Sequence, residues 1–461
     1  MSLKVFLLYW AALACHVSLV FASVDDYDLD LAHFAISAQE NATCTVEPRS
    51  AKEVAGVLNI LGSRKTPFGI KGGGHNLNRG FSSTSGVLIS MTRLNSLKYD
   101  EKTSTVEVGT GMIWDDVYAQ LQDKNVSVIG ARATGVGVAG FIIAGGGYSY
   151  KTNQYGLAAD NVLAIEIVLP SGVIKNISSK QDKDLFFAVR GGGNNFGIVT
   201  KMTLRVHPQT AVWGGTIIYP NTVFTTVSSA LLDYTAKNVD PKTGLQCTFA
   251  SLQGQGIIMV NLFYDAPSPP PELFRSFLNI TSISSDVKTR SYLSMIQSAN
   301  TDLTAGVRGI YNTISHTEVT APLLAAMQNE TNYYSARLQS SGLLLNGYVV
   351  EPFLPEAYKK GDTDTAYPPN RAENIHPMNI YYAWVNAGSD SSLFEVSRNT
   401  AASLQQFAAN QGILASAKYP NYSIFNTDLK DMYGRNLKRL QEVKRRVDPK
   451  DIMGLTGGFK L

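Results

Sequence analysis

Cysteine is nearly absent, with three residues in a chain of 461. That excludes a disulfide-held scaffold, so a conventional apolar core must carry the fold. Cys15 lies in the first 22 residues, while Cys44 and Cys247 could pair in an oxidising compartment, a point the sequence leaves open. Charge of one sign is also lacking. Lys plus Arg number 40 against 37 for Asp plus Glu, and a formal net charge of +3 gives no electrostatic hold on nucleic acid. His33, His207, His316 and His376 stand singly, with no i, i+4 pair and no clustered cysteine, so no metal site is expected. No Gly-x-Ser-x-Gly elbow marks a hydrolase.

Long apolar runs are missing after residue 22. Before it, Lys4, an apolar run from Val5 to Phe21 and the ending Val20-Phe21-Ala22 predict a signal peptide over residues 1–22 and a secreted protein. An uncleaved anchor is the alternative, which Cys15, His16 and Ser18 weaken. Asn-x-Ser/Thr sites at Asn41, Asn125, Asn176, Asn279, Asn329 and Asn421 agree with a secretory route and a glycoprotein.

What the chain does have is a globular composition, 44% hydrophobic and 17% charged, and glycine gathered in triplets. Lys71-Gly72-Gly73-Gly74-His75-Asn76 removes every Cβ from a short run of backbone, whose N–H groups can close on a phosphate, and a histidine follows at once. Alone, the stretch also reads as a turn with a solvated imidazole. Ser50-Ala51-Lys52-Glu53 is a capping box, and Val54, Val57, Leu58 and Leu61 carry a helix to about Gly62. Residues 67–71 read as a strand delivering the triplet, followed by strands at 87–91 and 105–109 and a helix marked by Trp114, Val117, Tyr118 and Leu121. This alternation indicates an α+β or α/β unit.

Gly135 to Gly140 fits G-x-G-x-x-G, with Asp160 about twenty residues further on. Its context opposes a Rossmann site. Ala131-Arg132-Ala133-Thr134 is a poor strand, and Gly145-Gly146-Gly147 should break any helix after a turn or so. A second backbone-rich surface is the better reading. Residues 161–169 and 173–177 form a hairpin about Pro170-Ser171-Gly172, Asp182 caps a short helix over 184–190, and the third triplet, Gly191-Gly192-Gly193, precedes a strand over 196–206. Three triplets in one region point to a large cofactor with a pyrophosphate. From about 210 to 410 the signals weaken to a Pro-rich loop at 267–271 and a Tyr-rich strand at 380–384, read as a second, substrate-covering domain. Tyr433, Leu437, Leu440, Val443 and Val447 then place a basic helix ended by Asp448-Pro449.

Together these residues resemble the FAD-linked oxidases of the vanillyl-alcohol oxidase superfamily, in particular the fungal berberine-bridge-enzyme-like group. The resemblance rests on the 72–76 stretch, Gly135-Val136-Gly137-Val138 with the Gly145 triplet, Tyr155-Gly156-Leu157-Ala158-Ala159-Asp160-Asn161, Asp184-Leu185-Phe186-Phe187, Asn194-Asn195-Phe196-Gly197-Ile198-Val199 and Tyr419-Pro420-Asn421-Tyr422. It implies an α+β fold: a two-part FAD-binding domain (PCMH-type) over 40–210 and 411–461, with an antiparallel-sheet substrate domain inserted at 211–410. It implies FAD held by Gly72, Gly73, Gly74, His75, Asn76, Thr134, Val136, Gly137, Gly140, Gly145, Gly146, Ile198 and Asn421. His75 would bond to the flavin 8α-methyl, and it would do so alone, because the cysteine that gives many relatives a second tether has no counterpart in 131–134.

The chemistry implied is hydride transfer from a hydroxylated small molecule, a secondary metabolite, to FAD, which molecular oxygen reoxidises with release of hydrogen peroxide. Tyr155 and Tyr419 match proton-transferring tyrosines of several relatives, although each also reads as a packing residue. The lysine of the plant branch is absent, since Asn379, Tyr381 and Ala383 occupy that strand face. An oligosaccharide substrate and a secreted flavin-binding protein without turnover are the alternatives. A monomer with no nucleic-acid partner, and with no membrane partner once the signal is removed, completes the expectation.

Overall fold

The structure is a computed structural model and describes residues 24–299 and 303–461. The expected signal peptide lies outside the described residues. Among these, the chain forms an α+β fold whose strands sort into three main sheets. The first is parallel, with Val87–Ser90 between Cys44–Val46 and Phe68–Lys71. Helix Ala51–Arg64 joins it in one apolar cluster through Val54, Val57, Leu58 and Leu61. Ser50 Oγ accepts from Glu53 N at 3.2 Å, while Glu53 reaches back to Arg49 N at 2.9 Å, so the cap closes one residue before the expected box.

The second sheet is antiparallel and orders Leu97–Asp100, Thr105–Gly109, Ile198–Arg205, Val162–Val168 and Ile174–Ser178. Its cluster takes in Trp114, Val117 and Leu121 of helix Trp114–Gln122, the helix Lys183–Val189, and Leu440 and Val443 of helix Leu437–Val447. The end of the chain therefore returns to the first half. The single C-terminal helix expected from Tyr433 onward is broken: Leu429–Tyr433 stops at Gly434, whose φ of 43° no helix interior accepts, and Leu437–Val447 starts afresh.

The third sheet has eight antiparallel strands, with Gln255–Tyr264, Thr243–Leu252, Leu343–Val350 and His376–Trp384 at its centre. Alternation fixes its two faces. Cys247, Phe249, Val260, Tyr348, Val350, Ile380 and Tyr382 point to a core roofed by helices Phe224–Lys237, Ala321–Arg337 and Asp390–Asn410. The intervening residues face a cavity. Cys44 and Cys247 do not pair. Both are buried and free, one in the parallel-sheet cluster and one in this core.

Asp160, which the fingerprint would place on a ribose, has a structural task. Its carboxylate takes a bidentate pair from Arg371 at 2.7 and 2.8 Å and accepts from Leu157 N at 2.9 Å, with its side chain fully buried. The helix after the fingerprint, Val138–Gly145, lasts two turns and ends where Gly146 adopts φ +81°. Asp160→Ala strands Arg371 in the interior, so an unfolding titration is expected to show a loss of about 3–5 kcal/mol, with flavin content unchanged in the protein that remains folded.

Candidate active site

Strand Phe68–Lys71 delivers the first glycine loop, and helix Val138–Gly145 begins at the second. The two meet backbone to backbone: a Cβ on Gly73 would lie 2.5 Å from Gly137 N and 2.7 Å from Gly135 O. Only glycine fits there. His75 follows with its ring stacked on Phe34, centroids 4.3 Å apart, and Phe34 N donates to Gly74 O at 3.0 Å. Burial lowers the His75 pKa to about 4, against hydrogen bonds with its own backbone and that of Thr134, so the imidazole is neutral at pH 7. Its Nε2 is buried and has no hydrogen-bond partner among the described residues. A backbone cradle beside a neutral imidazole whose Nε2 has no partner among the described residues is a donor set that fits a flavin dinucleotide.

A continuous cavity of about 450 Å³ runs from this cradle to the open face of the eight-stranded sheet. Across it lies a polar constellation that the sequence reading did not single out. Arg132 Nη2 donates to Glu351 Oε2 at 2.6 Å and to Tyr422 Oη at 3.2 Å, and Tyr422 Oη donates to Glu351 Oε1 at 2.9 Å. Gln246 Nε2 donates to the same Oε1 at 3.3 Å. Glu351 is 1% exposed. Burial works against the Arg132 charge, but Glu351 reverses the effect and drives its pKa above the usual guanidinium value. Burial and then Glu351 push the Tyr422 phenol well up, with Arg132 pulling the other way. A sequence signal existed: Glu351 is the sole charge between Arg337 and Glu356, at the end of an apolar strand, and Arg132 interrupts an apolar run.

Of the residues expected at the site, Gly72, Gly73, Gly74, His75, Asn76, Val136, Gly137, Gly140, Ile198, Tyr419 and Asn421 line the cavity. Thr134, Gly145 and Gly146 do not. Gly145 instead admits the C-terminal segment, since a Cβ on it would lie 2.8 Å from the Tyr419 ring and 3.1 Å from Asn421 N. Gly146 ends the helix, and Thr134 meets His75 through its backbone. Tyr155 is also off the wall, stacked on His207 with centroids 3.8 Å apart. In this geometry its ring packs on His207 and is not part of the cavity wall.

Tyr419 is engaged differently. Its hydroxyl accepts from Asn421 Nδ2 at 2.8 Å and from Tyr148 N at 3.4 Å, and burial raises its pKa. Asn421 Nδ2 also donates to Phe141 O at 3.0 Å, which fixes the segment against the second glycine loop. Asn379 and Tyr381 line the cavity, whereas Ala383, on the same strand face, does not. Among the described residues no three His, Cys, Asp or Glu side chains gather as a metal site, and no helix is long and apolar enough to cross a membrane.

Residues 42–178 match the model of the family described as FAD binding domain, and residues 419–454 that described as berberine and berberine like. An uncharacterized FAD-linked oxidoreductase from Arthroderma benhamiae is 31% identical over 439 residues, 91% of this chain and 87% of that one. The chain belongs to the berberine-bridge-like FAD-linked oxidoreductases. A second relative, the FAD-dependent monooxygenase drtC of Aspergillus calidoustus, is 28% identical over 96% of this chain and 87% of its own. The solved carbohydrate oxidase of Microdochium nivale superposes with a TM-score of 0.80 at 20% identity, covering 96% of this chain and 97% of that one, which is a likeness of fold. The cavity lining draws on the FAD-binding segment, the C-terminal berberine-like segment and the eight-stranded sheet.

Proposed function

We propose that the protein is a secreted oxidase that converts a hydroxylated small molecule to its carbonyl product, with FAD bonded to His75 and molecular oxygen as the second substrate. The observation that carries this reading is the single cavity joining the glycine cradle and His75 to the Arg132–Glu351–Tyr422 constellation. FAD held by the glycine cradle and His75 would supply the two-electron oxidation of the carbinol carbon, with molecular oxygen as the final electron acceptor. The chain handles the proton. The Tyr422 hydroxyl already donates to Glu351 and receives one hydrogen bond from Arg132, leaving a lone pair for the substrate hydroxyl. As the substrate proton moves to Tyr422, the phenol proton passes to Glu351, whose carboxylate ends protonated. Arg132 holds both acceptors in place, and Tyr419 braces the segment that carries Tyr422.

The same reading assigns residues 40–210 and 411–461 to the flavin, residues 211–410 to the substrate, and a monomer to the working form. Secretion is supported by the sequon asparagines: Asn41, Asn125, Asn176, Asn279 and Asn329 are exposed. Asn421, by contrast, spends its amide on Phe141 and Tyr419, and a glycan there would disrupt the cavity wall. Protein secreted from a fungal host is therefore expected to lose mass on peptide-N-glycosidase treatment, with Asn421 unmodified in the peptide map. The same preparation tests the activity. It should absorb as an oxidised flavin and release peroxide on a panel of alcohols, and a protein with flavin that no alcohol reduces would make it a binding protein.

A further inference from the structure

We propose that the sheet side of the cavity is a slot for a flat, uncharged, largely apolar ring lying over Gly347, and that Gly347 sets which substrates enter. The proposal rests on the reading above, because it names the substrate class of that same site. Gly347 sits in strand Leu343–Val350, between strands Thr243–Leu252 and His376–Trp384, where glycine weakens a sheet. Nothing in the protein asks for it. Its φ is not among the positive values that favour glycine. A Cβ built on it would meet only side chains, Thr248 Cγ2 at 3.3 Å, Ala250 Cβ at 3.6 Å and Leu345 Cδ2 at 3.6 Å, so alanine fits with a small shift. The remaining reason for a glycine in a central strand is the close approach of something outside the sheet, and the space over this one is the cavity.

Register defines the slot. Gly347 pairs with Ala250 on one neighbouring strand and with Tyr381 on the other, and Tyr381 pairs with Tyr311. Leu345, Gly347, Val349 and Glu351 alternate along one face and all line the cavity, so the row that starts at Leu345 ends at the proton-handling carboxylate. The Tyr311 ring stands 4.9 Å from that of Tyr381 and 5.9 Å from that of Tyr422, giving the slot one aromatic wall from Gly347 to the reacting end. Around Gly347 the lining is Leu345, Val349, the Thr248 side chain with its methyl toward Gly347, and the Tyr381 ring, so the immediate contacts are mainly apolar, while Thr216, Gln246, Asn261 and Asn379 line other positions of the sheet. The Tyr381 hydroxyl there is buried with Thr304 beside it, yet makes no hydrogen bond of good geometry among the described residues. It is placed for a single oxygen substituent on the ring. Charge completes the description. Arg132 and Glu351 are the only charged side chains among the described residues of the wall, and each neutralises the other, so a carboxylate or ammonium on the substrate would enter without a counter-ion.

The test uses the purified holoprotein with three probes, 2-naphthalenemethanol, 2-naphthoate and cellobiose, read by titration calorimetry and by perturbation of the flavin spectrum. Wild type is expected to bind 2-naphthalenemethanol in preference to the other two. Gly347→Leu should weaken that binding about 10- to 100-fold, the cost of overpacking by a branched side chain. Gly347→Ala, which the strand accepts, should weaken it by a smaller factor, and both variants should keep the wild-type flavin content and melting temperature. Equal binding by Gly347→Ala and Gly347→Leu to wild type, a preference for cellobiose or 2-naphthoate, or no binding of 2-naphthalenemethanol would each overturn the slot. A protein without flavin would instead sink the oxidase reading, and calorimetry on that same protein would still judge Gly347.

Discussion

His75→Ala protein is expected to release all of its flavin into the supernatant on precipitation with trichloroacetic acid, while wild-type protein keeps the yellow colour in the pellet. The reason lies in how the histidine is held. A carbon–nitrogen bond to the flavin needs an unprotonated imidazole, and burial sets the His75 pKa at about 4, so the nucleophile is present across the neutral range. Phe34 fixes the ring plane, and the unpartnered Nε2 shows that the protein itself does not exhaust the ring's bonding capacity. No second covalent link is expected. Cys44 and Cys247 are both buried away from the cavity wall, and the 131–134 stretch carries no thiol. Flavin retained in the pellet of both proteins would refute the assignment. Denatured wild type that gives up its flavin would show a tightly bound but non-covalent cofactor.

Tyr422→Phe should slow reduction of the flavin by substrate about 10²–10⁴-fold, the usual contribution of a positioned proton acceptor. Phenylalanine keeps the ring contacts with Tyr311 and Tyr419 but removes the hydroxyl that links substrate to Glu351. Glu351→Gln should show a similar loss in rate and an added loss in stability, because Arg132 is then buried without its counter-charge. Flavin content is the control, since none of these three side chains belongs to the glycine cradle. Tyr419→Phe provides the contrast. Its hydroxyl serves Asn421 and Tyr148 N, so a modest drop in melting temperature with a near-normal reduction rate is expected in stopped flow. A large rate loss in Tyr419→Phe together with a small one in Tyr422→Phe would return the proton transfer to Tyr419.

Much of the flavin side was legible in the chain because its signals are local. A glycine triplet after a short strand, a capping box and an Asp182 N-cap each act within a few residues, and the structure places them within a residue or two of expectation. The expected residues that lie off the cavity wall share one cause. Tyr155 lies in the middle of a matched motif, yet its ring turns to His207; Thr134, Gly145 and Gly146 sit beside cavity residues but support the wall from behind. Sequence distance to a site does not tell which way a side chain points.

The sequence by itself determined that this is an α+β protein with a glycine-built cofactor cradle, that His75 sits at its edge, and that no cysteine frame, metal cluster pattern or hydrolase elbow competes with that reading. Those properties depend on residue type and short-range spacing. Only the tertiary structure brought Arg132, Glu351 and Tyr422 together and set Gly347 on the cavity wall. Arg132 and Glu351 are 219 positions apart, and Arg132 and Tyr422 are 290 apart; they meet because the C-terminal segment folds back against the second glycine loop and the strand ending at Val350 aims its next residue into the same cavity. Gly347 likewise reads as a weak point in a strand until the sheet shows that the empty position faces the cavity, because open space is a property of what surrounds a residue and has no letter in the sequence.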